Sequence, residues 1–288
     1  MNGYDLNVEL VAMTAPCGAA VRIVCEQDWG SDARACVLPD RSAAVRGLLG
    51  DRSLVASVWN ARDSLDDLEE RHLPPHLRLI VAGHAVPEAD TLAALSAAFG
   101  EDPPPHTLVL YSPDELGPPP AVASCFLLQV AGDRKLGPLV SRSLIGGEAA
   151  TAMTGLLGSL FRQQAICFDL VDLLSLMPKG GCGVFASASA QGRNSGELAT
   201  RLAINQLEAP LAELPPTSAL LCLAVGSEFT LGDGENALEH LASAIEAATP
   251  YILMACWCVK GDPSAVTAYL YVVSSPRRSA AEPPPPHA

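Results

Sequence analysis

The sequence predicts an α/β fold in three parts. A mostly parallel sheet covered by helices comes first, then a connecting helix, then an α+β unit with the order β-α-β-α-β-β. Three observations predict it. Short runs rich in Val, Ile and Leu alternate with longer stretches of helical periodicity. Proline- and glycine-rich breakers such as "EDPPPH" and "LGPPPA" separate those runs. The 288-residue chain is 49% hydrophobic and 17% charged, enough apolar material for a full core, and at ~150 residues per domain its length suggests two domains.

Taken in order, "LNVELVA" (6–12) is a short strand, and "TAPCGAAVRIVCEQ" is a turn entering a helix. "LRLIVA" (77–82) is a strand, and "EADTLAALSAAFG" is a helix closed by Gly100. "HTLVLYS" (106–112) and "VASCFLLQV" (122–130) are two more strands. A long helix rich in Ala, Leu and Met runs from about 144 to Gln164, and Pro178-Lys179-Gly180-Gly181 stops the "FDLVDLLSLM" run that follows. "CGVFASASA" is a strand of small residues, and "NSGELATRLAINQL" is a helix with Asn194 or Ser195 as its N-cap. "SALLCLAVG" is a strand, and "GENALEHLASAIEAA" is a helix with Leu238, Leu241, Ala242 and Ile245 on one face. "PYILMACWCV" and "AVTAYLYVVS" are two strands joined as a hairpin by "KGDPS". The expected domains are 1–145, a connecting helix and acidic loop over 146–179, an α+β domain over 180–275 and a disordered tail over 276–288.

The formal net charge of −14 repels nucleic-acid phosphates and anionic membrane surfaces. No apolar run approaches the ~20 residues that span a bilayer, and "MNGYDLNVEL" lacks the basic start of a signal peptide. The nine cysteines form no Cys-x-x-Cys and sit mostly in apolar runs, as expected in a reducing cytoplasm. Cys256 and Cys258 share one side of a strand, where core packing is favoured over a metal site. His72 and His76 flank Pro74 and Pro75, through which a helix cannot run cleanly, so a helical zinc pair is not expected. No cofactor or metal is expected.

"FDLVDLLSLMPKGG" carries Asp169 and Asp172 in an otherwise apolar run. The pair fits an exposed helix start, where carboxylates favour the helix dipole. A second role comes from a resemblance. The segments "CFDLVDLLSLMPKGGCGVFASASAQG", "ALLCLAVGSEFTLGDGENALEHLASAIEAA" and "AVTAYLYVVSS" resemble, in order and spacing, the C-terminal half of the bacterial tubulin-like division protein FtsZ. The resemblance covers roughly 160–275. It implies a Rossmann-like N-terminal domain, a connecting helix and a C-terminal α+β domain. It also implies that Asp169 and Asp172 match the two catalytic carboxylates that project into the next subunit's nucleotide pocket and polarise the attacking water. Cys167 stands where the family has asparagine.

The phosphate-binding parts of that family do not match. Its first glycine-rich loop is replaced by "MTAPCGAAV", with Gly18 alone and Pro16 lacking an N–H. Its second is replaced by "GHAVPEADTLAALSAAFG", which puts Glu88 and Asp90 near the phosphate position, where they would repel the anion. Its guanine-contacting Asn-Asp pair falls on Gly146 and Gly147. No Gly-x-x-x-x-Gly-Lys-Ser/Thr loop, Gly-x-Gly-x-x-Gly fingerprint or Gly-x-Ser-x-Gly elbow occurs.

Three functions follow. The first is a cytoplasmic, non-nucleotide-binding relative of the tubulin-like cytoskeletal and cell-division proteins, a homo-oligomer or a partner of an FtsZ-type GTPase. The second is a divergent GTPase that still uses GTP on assembly. The third is a small-molecule binder using the emptied N-terminal cleft. Enzyme activity is expected only if a nucleotide site survives.

Overall fold

The computed structural model describes residues 6–14, 17–25, 34–37, 76–82, 86–99, 105–113, 122–130, 147–161, 164–166, 168–213, 216–245 and 251–274. Pro16, Gly83 to Ala85, Gly100, Gly146, Cys167, the "LGPPPA" loop and the tail lie outside them.

In chain order the strands are β1 (Leu6–Thr14), β2 (Cys17–Cys25), β3 (Arg34–Val37), β4 (Leu77–Val81), β5 (His106–Tyr111), β6 (Phe126–Val130), β7 (Gln164–Ile166), β8 (Cys182–Ala190), β9 (Ser218–Val225), β10 (Tyr251–Cys258) and β11 (Val266–Ser274). The helices are α1 (Ala89–Ala98), α2 (Gly147–Phe161), α3 (Leu170–Leu176), α4 (Ser195–Glu213) and α5 (Leu231–Ala244).

These strands form one sheet, in the order β3-β2-β1-β4-β5-β6-β8-β11-β9-β10-β7. The run β1-β4-β5-β6-β8 is parallel throughout. Parallel strands are covered on both faces, so they read as apolar runs without alternation. Leu77 to Val81 are accordingly all buried. Helices α2 and α3 cover one face through Ala152, Met153, Leu156, Leu173 and Leu176. On the other face α4 and α5 contribute Ala199, Ala203, Leu207, Ala237 and Leu241, and α1 contributes Leu92 and Leu95. The fold is α/β, with a parallel-dominated sheet and layered helices.

Helix α2 lies close on the sheet because two glycines let it. A Cβ on Gly158 would come within 2.5 Å of the Trp257 ring, and one on Gly155 would meet the Tyr271 hydroxyl. Trp257 and Tyr269 stack beneath the helix at 5.7 Å between centroids. The buried Tyr271 hydroxyl donates to the Ala152 carbonyl of α2, which satisfies a polar group that would otherwise be costly to bury.

Several expectations are corrected. "CGAAVRIVC" is not a helix but the strand β2, antiparallel to β1, with Thr14 paired to Cys17. Its Val and Ile residues are β-branched, and their stiffness suits a strand. The connecting helix stops at Phe161, and β7 intervenes before a separate helix α3. Strands β10 and β11 are consecutive but are not a hydrogen-bonded hairpin, because β9 lies between them. On α5 the buried positions are Gly234, Ala237 and Leu241, while Ala242 is exposed.

Candidate functional site

Two places hold the residues singled out by the sequence. The first is the carboxyl edge of the parallel strands, the usual ligand position in open α/β sheets. There β1 ends at Thr14 and returns at once as β2, so Gly18 lies in a strand opposite Met13 rather than in a loop. After β4 the chain enters α1. Glu88 holds the N-cap position with φ −59° and ψ 150°, and its side chain accepts no capping hydrogen bond. Asp90 follows in the first turn, and both carboxylates are exposed. An acid in a helix's first turn offsets the positive end of the dipole that would otherwise attract an anion. Gly147 is the first residue of α2.

The second place is the start of α3. Asp169 is its N-cap, in extended backbone with φ −122°. The Asp172 N–H donates to Asp169 Oδ1 at 3.0 Å, and the Asp169 N–H donates to Asp172 Oδ2 at 3.1 Å. This reciprocal capping box satisfies two donors that a helix start leaves open. Asp169 therefore stands at the start of a helix separate from α2, in keeping with the helix-start reading of the pair. Asp169 is exposed and Asp172 partly so, with Val171 between them 68% exposed. The other oxygen of each carboxylate takes no hydrogen bond from the described residues. Thr230 and Asp233 repeat the arrangement at the start of α5, with N–H donation at 2.9 and 3.3 Å.

Three contacts fasten the far end of α3 to the parallel strands. His106, at the start of β5, bonds through Nε2 to the Met177 carbonyl at 2.8 Å. The Gly180 N–H donates to Cys125, and the Leu127 N–H donates to Gly181. Burial holds the His106 imidazole below its usual 6.5; the bond to Met177 opposes that shift and the Lys179 charge adds to it. The sequence pattern misses His106, because nothing in "HTLVLYS" points to a partner 71 residues away.

Other polar residues it passes over are the buried Arg78, whose guanidinium lies 4.9 Å from the Phe99 ring centroid, and the buried cross-strand neighbours Tyr111 and Gln129. Burial pushes the Tyr111 hydroxyl up to about 12. A lone polar residue inside an apolar strand, as in "LRLIV" and "FLLQV", is the signal that marks Arg78 and Gln129. Among the described residues no group of three or more His, Cys, Asp or Glu could hold a metal ion. Cys256 is buried and Cys258 exposed. No described helix is long and apolar enough to cross a membrane.

No protein-family model matches the chain, and no curated protein matches its sequence. Solved structures do match. An FtsZ mutant of M. jannaschii superposes with a TM-score of 0.54 at 15% identity, over 70% of this chain and 66% of that one. An empty FtsZ dimer of M. jannaschii gives 0.52 at 13% identity, over 69% and 64%. A TubZ of Bacillus thuringiensis serovar israelensis, in GDP-form protofilaments, gives 0.42 at 12% identity, over 73% and 68%. The chain thus spans just under two thirds of each FtsZ chain. At such identities the likeness is one of fold, and the fold of this chain is that of FtsZ and tubulin.

Proposed function

We propose that this chain is a tubulin-like assembly protein whose nucleotide site is lost, and that it self-assembles or binds an FtsZ-type GTPase. The hairpin β1–β2 carries this reading. A phosphate site after the first strand needs a loop of N–H donors and a helix start behind it. Here β2 occupies that position, and its backbone is committed to pairing with β1. At the second expected phosphate position, Glu88 and Asp90 set two negative charges against a triphosphate. The sharing of a fold with an FtsZ described as a dimer supports self-assembly. The same reading divides the chain into 1–145, 146–179, 180–275 and a tail, and places it in the cytoplasm. No cofactor belongs to it.

Asp169 and Asp172 are the residues proposed to face the partner. Each spends one oxygen on the capping box, and the other, which takes no hydrogen bond from the described residues, could orient water at a partner's phosphate. The structural duty and the proposed one are compatible.

The test is the nucleotide content of purified protein, together with sedimentation with and without GTP. The expected outcome is no bound GTP or GDP, no calorimetric binding at micromolar concentrations, and pelleting that GTP does not change. Stoichiometric nucleotide would turn the assignment to a divergent GTPase. One observation favours a ligand of another kind: the α1 start has no side-chain cap and lies at the carboxyl edge of β4 and β5. A copurifying non-nucleotide molecule would establish that function instead.

A further inference from the structure

Strands β1, β2 and β4 carry one charged residue each: Glu9, Arg22 and Arg78. The register puts all three in one row across the sheet. Glu9 pairs with Arg22 on one side and with Arg78 on the other. Arg22 could have stood at any of nine positions on β2, and Arg78 at any of five on β4. Both fall beside the single acid, so the signs alternate plus, minus, plus. Paired residues share a face of a sheet, ~5 Å apart. That face is the one α1 covers, because the Arg78 guanidinium lies 4.9 Å from the ring centroid of Phe99, the C-cap of α1.

Arg78 is 1% exposed. A buried guanidinium is costly unless an anion meets it. The Phe99 ring attracts the cation but brings no net charge. On β5 the row continues at Thr107, which is neutral and donates its hydroxyl proton to the Pro105 carbonyl at 3.2 Å. On β1 the residue in register with Arg78 is a glutamate.

We propose that Arg22, Glu9 and Arg78 form an ionic lock that fixes the β1–β2 hairpin on β4 and so keeps β2 across the position of the first phosphate loop. Opposite charges in directly paired positions attract, and a guanidinium on either side gives Glu9 two partners. The lock also selects the register. A slip of one residue between β1 and β4 would carry Glu9 to the other face and take the acid away from Arg78. The acid is the keystone, because its loss leaves two cations flanking a neutral residue. While β2 is held in pairing with β1, its backbone cannot open into a loop of N–H donors for phosphate. In that consequence the proposal rests on the loss of the nucleotide site proposed above; the coupling of the three charges does not.

The test is hydrogen exchange of the peptide spanning β2, with β9 as internal reference. Glu9→Gln should speed exchange at 17–25 at least ~tenfold and leave 218–225 unchanged. In an Arg22→Gln, Arg78→Leu background the same substitution should change exchange less than ~twofold, because no cation remains to lose its partner. Should Glu9→Gln fail to fold alone, folding regained in that background supports the lock, and failure there too overturns it. Unchanged exchange at 17–25 in folded Glu9→Gln overturns the proposal, as does an equal effect in the background without the two arginines. A third overturning result is that Glu101→Gln with Asp102→Asn, the acids that follow α1 in sequence, loosens β2 as much as Glu9→Gln does. Nucleotide bound to the wild type would sink the lost-site assignment while coupled exchange left the lock standing; no nucleotide and no coupling would do the reverse.

Discussion

The starts of α1 and α3 are both acidic, yet they are built differently. At α3, Asp169 and Asp172 bond each other's backbone at 3.0 and 3.1 Å. At α1, Glu88 and Asp90 stand exposed without a side-chain cap. The same residue chemistry is local structure in one place and unspent charge in the other. Acidity at a helix start is therefore no guide to function until its hydrogen bonds are known.

The sharpest way to break this comparison is to remove the box. Asp169→Ala should destabilise the protein by about 0.5–2 kcal/mol, the usual cost of a lost N-cap. Asp169→Asn should restore the melting temperature, since asparagine caps as well as aspartate. If the asparagine variant is stable and any effect on assembly is still lost, charge and cap are separated. If alanine leaves thermal melting unchanged, the box contributes nothing.

A second measurement concerns the far end of α3. Replacing His106 by alanine removes one hydrogen bond, worth about 0.5–1.5 kcal/mol. The pH dependence has a definite sign. The native imidazole is held below 6.5, so the unfolded chain binds the proton more readily. The stability His106 contributes is full above 6.5 and is lost as pH falls from there through the lower native value. Denaturant melts from pH 7.5 to 5 should show this slope in the wild type and a shallower one in His106→Gln. Equal slopes would remove His106 from the account.

The smallest effect is expected at α1. Glu88→Ala and Asp90→Ala should change stability by no more than about 0.5 kcal/mol, as exposed surface residues usually do. Together as Glu88→Gln and Asp90→Asn, they should raise affinity for inorganic triphosphate without creating a tight site, because β2 still occupies the first phosphate position. Tight binding after this change would show that the two charges alone kept nucleotide out.

The sequence by itself determined what depends on near neighbours. "LRLIV", "FLLQV" and "SALLCLAV" read as buried strands because each is a short run of apolar residues with a single polar one, and they are. "GENALEHLASAIEAA" shows its helix through spacing alone, although the start lies at Leu231. The acidic pair was legible as a helix start because capping is a contact over three residues. Tertiary structure decided what depends on chain-distant partners. Whether "CGAAVRIVC" coils or extends rests on the pairing that β1 offers it. Turn chemistry joins β10 to β11, but the antiparallel place between β8 and β9 belongs to β11 alone. His106 acquires its role from Met177, and Gly158 from Trp257. Propensity and periodicity act over one or two turns of chain, whereas strand order and close packing are settled by which distant surfaces bury each other best.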